Sequence, residues 1–197
     1  MLTTEQKYEK KKKIAKSTCT LFVEKGYVNI TISEIAKVAG VGKGTIYEYF
    51  KSKEEIIFEL MGCLQDDYDE KLTKKIQQNI SVKEKVPFLF DIYFSDNEIA
   101  QIQRQIYKEY LAVLISKQSD EMQKFDKKMM SKYNKILENI FHESIKKNEI
   151  SEMAINFIPS IFAALEGFFI SSQDREIVLK YIDDLFVLLQ PNRKEVL

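Results

Sequence analysis

Residues 31–50, TISEIAKVAGVGKGTIYEYF, constrain the fold more than any other part of this 197-residue chain. Thr31 with Glu34 three positions on is a capping box, which predicts a helix from Ile32. Ile35, Ala36 and Ala39 then share one face of that helix. Gly40 supplies the left-handed conformation that ends it, and Val41 plugs the corner. A second short helix is expected over about 42–49, with Ile46 and Phe50 inward at i, i+4 spacing. Two short helices joined by a tight glycine-containing turn make a helix-turn-helix, whose second helix is the one that enters a DNA major groove. The outward residues of that helix are Lys43, Gly44, Thr45, Tyr47 and Glu48. Gly44 weakens a helix, so it fits a place where another backbone must approach closely.

The run I-A-x-x-A-G-V-x-x-G-T-I-Y-x-Y-F-x-S-K-E-E-I resembles the DNA-binding signature of the TetR family of bacterial transcriptional regulators. Phe22, Gly26 and Tyr27 extend the resemblance upstream in F-x-x-x-G-Y spacing. It is close over residues 31–56; beyond about residue 60 only length and an all-helical pattern are shared. The resemblance implies that Lys43, Gly44, Thr45 and Tyr47 face the major groove, with Lys43 and Tyr47 touching bases. Thr31, Tyr49 and Lys53 would hold phosphates. Gly42 stands where the family commonly has Ser or a similar cap. The resemblance further implies double-stranded operator DNA with inverted repeats, and a homodimer whose last two helices form a four-helix bundle. The function implied is that of a repressor released by a small-molecule effector; the alternative is a dimeric DNA-binding protein with no effector.

Charge is distributed in keeping with a partner at one end. The chain is formally neutral, yet residues 1–52 hold ten lysines and five acids, a net of +5, which leaves −5 for the rest. A basic head on an acidic body suits phosphate contact at the head. The lysines at 10–13 sit at a helix start, against the helix dipole, so a compensating anion is expected there. Cys19 and Cys63 lack metal-ligand spacing and read as reduced thiols. A single histidine, His142, and the lack of a phosphate loop, an HExxH or a nucleophile elbow argue against an enzyme, a cofactor or a metal. The longest apolar run, 157–170, contains Pro159, Ser160 and Glu166 and is too short for a bilayer. With no signal peptide evident, the expected location is the cytoplasm, away from membranes.

With only six Gly and three Pro, the remainder should be long helices. A first helix is expected over residues 4–25, with Ile14, Ala15, Thr18, Cys19 and Phe22 inward, and Gly26 ending it. Ser52 opens a long helix striped by Ile56, Leu60, Leu64, Tyr68, Leu72 and Ile76. The domain boundary is placed near Met61, giving a DNA-binding domain at 1–60 and an effector-binding and dimerisation domain at 61–197. Ser81, Asp96 or Asn97, Ser119, Ser151 and Asp174 start five more helices. The expectation is therefore an all-α protein of about nine helices. Surplus apolar residues between 155 and 189, including Phe168 and Leu185, suggest a subunit interface. Phe90, Tyr93, Phe94, Tyr107, Tyr110, Phe125, Phe162 and Phe169 suit a ligand pocket or an ordinary core. Glu109 and Glu166 are its possible acids. That set favours a largely apolar, neutral or cationic ligand over a phosphorylated one. The lysine-rich face of the Ser119 helix reads as solvated surface.

Overall fold

Two of the predicted helices are each divided, so eleven α-helices and one 3-10 segment are present among the described residues, with no strand. The structure is a computed structural model describing residues 3–117, 120–171 and 174–191; the side chain of Phe94 also lies outside the description. The first division separates α1 (Thr4–Ser17) from α2 (Cys19–Asn29). The Thr18 hydroxyl donates to the Ala15 carbonyl at 2.6 Å, and Ser17 donates to Ile14 at 2.7 Å. Hydroxyls that take carbonyls from the backbone ladder loosen it, and the helix breaks there. α2 turns again at Gly26, whose φ of 69° and ψ of 157° are essentially restricted to glycine. One more turn follows before Ile30 becomes extended.

α3 (Ile32–Ala39), α4 (Lys43–Tyr49) and α5 (Lys53–Ile76) come next. α6 (Val82–Leu89) starts at a Ser81–Glu84 capping box and keeps Pro87 inside. Proline removes one backbone donor and crowds the preceding turn. The helix ends three residues later at Phe90, and α7 (Asp91–Phe94) restarts it. α8 (Glu98–Lys117) is capped by the Asn97 side chain, which accepts from Ala100 N at 2.8 Å. α9 (Asp120–Lys146) follows; its predicted cap, Ser119, lies outside the described residues. The helix predicted from Ser151 opens as 3-10 structure over Glu152–Phe157 before α10 (Ile158–Ile170). Pro159 falls in the first turn of α10, where a missing N–H is harmless. α11 (Arg175–Leu188) is the last helix described.

The chain divides into two compact units, one of Met1–Glu70 with Asn97–Gln123, the other of Lys71–Asp96 with Lys124–Leu197. α8 is thus in the same unit as the helix-turn-helix. In that unit α2 packs on α8, α3 on α4, and α1 on α3. Phe22, Ile35, Ile46, Phe50, Ile57 and Tyr110 are fully buried there. Three ion pairs tie α1 to α5: Lys11–Glu59 at 3.1 Å, Lys12–Asp66 at 2.9 Å and Lys16–Asp67 at 2.8 Å. The basic start of the chain therefore finds part of its compensation in its own acids, while Lys10 and Lys13 are exposed.

In the second unit Phe90, Leu137, Phe141, Ile161, Leu165 and Phe186 are buried core. Glu152–Ile170 is long and apolar enough by composition to cross a membrane, with a mean hydropathy of 1.7. Its Ile158, Ile161, Phe162, Leu165 and Phe169 are buried in the unit's core, while 33 % of the apolar stretch is buried in all. Other apolar residues stay uncovered: Ile170, Ile177, Val187 and Leu188 are exposed. Leu185, expected on the interface, instead faces the core at 7 % exposure. Phe168 is half-buried, edge-on to Tyr181 at 5.2 Å.

Gly40 ends α3 at φ 65° and ψ 34°, and a Cβ there would meet nothing within 4 Å. Substitution should therefore cost backbone conformation alone. Gly40→Ala is expected to lower unfolding stability by about 1–2 kcal/mol, and Gly40→Asn by less. Urea unfolding followed by circular dichroism measures both.

Candidate functional site

The helix-turn-helix is set by local chemistry at each of its ends. Thr31 Oγ1 accepts from Glu34 N at 3.3 Å, and Glu34 Oε2 accepts from Thr31 N at 2.9 Å and from the Thr31 hydroxyl at 2.8 Å. Lys25 adds an ion pair to Glu34 at 2.5 Å. That lysine, with the two donors of Thr31, holds the Glu34 carboxyl at about 2. Between its two helices Val41 N–H donates to the Ala36 carbonyl at 3.0 Å, closing the turn. Gly42 is the N-cap of α4 and gives it no side-chain cap. Ile46 and Phe50 are buried, so the opposite face of α4 is forced outward. Lys43, Gly44, Tyr47 and Glu48 are exposed on it, with Thr45 and Tyr49 half-buried at its edges. Tyr47 is 61 % exposed, high for an aromatic residue in a packed domain. Thr31 is exposed at the start of α3.

Lys53 is placed differently. Its ammonium donates to three carbonyls, Tyr27 O at 2.6 Å, Ile30 O at 2.9 Å and Val28 O at 3.3 Å, and lies 4.3 Å from the centre of the Tyr27 ring. Burial holds it below the usual lysine range despite nearby Glu54. The charge read from sequence as a phosphate ligand is occupied by the chain's own carbonyls. From α8, Glu109 Oε2 accepts the Tyr27 N–H at 2.7 Å. A Cβ on Gly26 would stand 3.1 Å from the other oxygen of that carboxylate. Lys117, also on α8, pairs with Glu54 at 3.5 Å. Burial alone would raise the Glu54 carboxyl, but hydrogen bonds from the Tyr27 hydroxyl, the backbone, Ser52 and Lys117 outweigh it and hold it at about 2. Burial and the bond to Glu54 raise the Tyr27 phenol.

Residues 14–60 match the family described as bacterial regulatory proteins, tetR family. The fatty acid metabolism regulator protein of Bacillus subtilis is 31 % identical over 152 residues, covering 75 % of this chain and 74 % of that protein. This chain belongs to the TetR family. A TetR-family regulator from Cytophaga hutchinsonii has the same fold, with a TM-score of 0.78 and 18 % identity over 98 % of this chain and 100 % of its own. The structure of FadR from Bacillus subtilis in complex with stearoyl-CoA aligns with a TM-score of 0.57 and 23 % identity, covering 89 % of this chain and 95 % of that one. As a TetR-family member the chain is a transcriptional regulator with a helix-turn-helix, and not an enzyme.

The residues singled out as ligand contacts fall in both units of this TetR-family chain. Phe90, Tyr93, Phe162 and Phe169 come together in the second. Phe90 meets Phe162 and Tyr93 meets Phe169, each at 5.0 Å between ring centres. Tyr133 of α9 joins them against Phe162 at 6.5 Å. Phe125 and Glu166 are half-buried in the same unit. Tyr107 and Tyr110 belong to the first unit, where they stack at 5.9 Å and Tyr110 packs on Phe58 at 4.7 Å. Glu109, considered as a pocket acid, is the partner of Tyr27.

The depressed Glu54 carboxyl makes an acid prediction. Its ordinary value of 4.5 falls to about 2 in the folded chain, so its ionised form favours folding. That contribution is complete above about pH 4.5 and is lost as pH falls from there towards 2. Unfolding midpoints of Glu54→Gln should therefore depend less steeply on pH in that window than those of the wild type. Parallel slopes would contradict the assignment.

Proposed function

We propose that this chain is a dimeric cytoplasmic repressor that leaves its operator on binding a fatty-acyl compound. The observation that carries the DNA half is the outward face of α4. Lys43, Gly44 and Tyr47 are exposed together, and a Cβ at Gly42 or Gly44 would meet nothing within 4 Å. Nothing inside the chain requires glycine at either position, which supports close approach by a partner from outside. In this reading Lys43 and Tyr47 touch bases, Thr45 and Gly44 face the groove, and Thr31 and Tyr49 lie against phosphates. Lys53 serves the same surface from behind, by holding the ends of the motif. Residues 1–60 remain the DNA-binding portion by function, and 61–197 the effector and dimerisation portion.

The ligand half rests on the Phe90, Tyr93, Tyr133, Phe162 and Phe169 cluster, which suits a long apolar chain. The similarity to a fatty acid metabolism regulator and to a regulator bound to stearoyl-CoA supports an acyl chain as that ligand. Stearoyl-CoA carries an anionic head group, where the sequence favours a neutral or cationic ligand. Wild-type protein should select an inverted repeat from random duplexes, its half-sites about one helical turn apart. Lys43→Ala should reorder the ranking of half-site variants by about tenfold. Stearoyl-CoA, stearate and coenzyme A are then titrated with and without the selected duplex. An effector should lose about 5- to 150-fold in affinity when operator is present, and operator the same factor when effector is present. Equal affinities for all three would leave a dimeric DNA-binding protein with no acyl effector.

Exposed Ile170, Ile177, Val187 and Leu188 on α10 and α11 support a second copy as the partner for that face. Leu188→Lys, rather than a change at buried Leu185, should give monomers of unchanged helicity by sedimentation. A wild-type monomer at micromolar concentration would remove this part of the reading.

A further inference from the structure

The helix-turn-helix, residues 31–52, is a closed segment. It leaves the chain at Ile30 and rejoins it at Lys53, and the bond from Lys53 Nζ to Ile30 O at 2.9 Å joins those two points. The short link of residues 27–30, together with the packing of α3 on α1 and of buried Ile35, Ile46 and Phe50, therefore orients what α4 presents. Beside the bonds of Lys53 to its carbonyls and of Glu54 to the Tyr27 hydroxyl, that link is held from α8 by the carboxylate of Glu109. It accepts the Tyr27 N–H at 2.7 Å and lies against Gly26, whose φ of 69° aims that N–H at it. Removing the carboxylate leaves a half-buried donor to find water and frees the corner to rotate about a glycine.

We propose that Glu109 is a positioning residue for DNA binding: through Tyr27 N–H it fixes the neck of the helix-turn-helix and so the presentation of α4. α8, far beyond the recognition motif in sequence, is on this account a working part of the DNA-binding head. Lys117 on the same helix adds a second hold through Glu54 to the Tyr27 hydroxyl. The inference rests on the reading of α4 as the groove-facing helix.

The measurement is the ratio of affinities for the selected operator and for a scrambled duplex of equal length, using the full chain. Loss of folded protein lowers both affinities together and leaves the ratio alone; misplacement of α4 lowers the ratio. Glu109→Ala should reduce the ratio about tenfold. Glu109→Asp withdraws the carboxylate by one methylene and should reduce it several-fold. Glu109→Gln keeps an acceptor and should retain it. Should the alanine variant not fold, Glu109→Asp decides alone. A wild-type ratio in Glu109→Asp, or a Glu109→Gln loss as large as that of Glu109→Asp, would overturn the proposal. Wild-type protein that prefers no duplex sinks the DNA reading itself, and this inference falls with it. That case is told apart because Lys43→Ala and wild type would then behave alike.

Discussion

Lys53 holds together a motif that its own helices are too short to stabilise. α3 has eight residues and α4 seven, each well below the length at which a helix persists alone in water. Their arrangement depends on the apolar contacts of Ile35, Ile46 and Phe50 and on the closed neck. A lysine at the first position of α5 opposes that helix's own dipole. Here the ammonium reaches back to the carbonyls of Tyr27, Val28 and Ile30, where a cation is favourable, and rests on the Tyr27 ring. One side chain thereby satisfies three acceptors that the end of α2 at Asn29 leaves without a helical donor.

What could be read from the sequence was governed by rules that act over three or four residues. The Thr31–Glu34 capping box, the left-handed Gly40 and the inward Ile46 and Phe50 all follow from such spacing, and each is present. The break at Thr18 was not legible, because periodicity continues across it, whereas the one at Phe90 follows Pro87, whose effect on a helix is itself local. A hydroxyl bonding back to its own turn leaves no trace in the pattern of apolar residues. Glu109 and Tyr27 are 82 positions apart, and no local rule pairs a carboxylate with a backbone N–H at that distance. For Lys53 a sequence shows the charge that the resemblance assigns to a phosphate and hides the carbonyls around it.

The aromatic residues teach the same lesson at larger scale. Helical spacing shows that Tyr107, Tyr110, Phe162 and Phe169 point inward, which is a statement about burial. It does not say which core receives them. Tyr107 and Tyr110 pack with Phe58 beside the head's helices, while Phe162 and Phe169 meet Phe90 and Tyr93. Leu185 shows the reverse limit: a helix with apolar residues on most sides has both a core face and a bare one, and composition alone does not sort them.

The ion pairs along α1 bear on how salt will act on this protein. Binding to a duplex releases the cations condensed on each phosphate that a lysine neutralises, and the steepness of the salt dependence counts them. Residues 1–52 offer ten lysines, yet Lys11, Lys12, Lys16 and Lys25 already face carboxylates within the chain. The number of cations released will fall short of the lysine count. The same added salt that screens the duplex also screens these partly exposed pairs, so ionic strength acts on the head's own cohesion as well as on its hold on DNA.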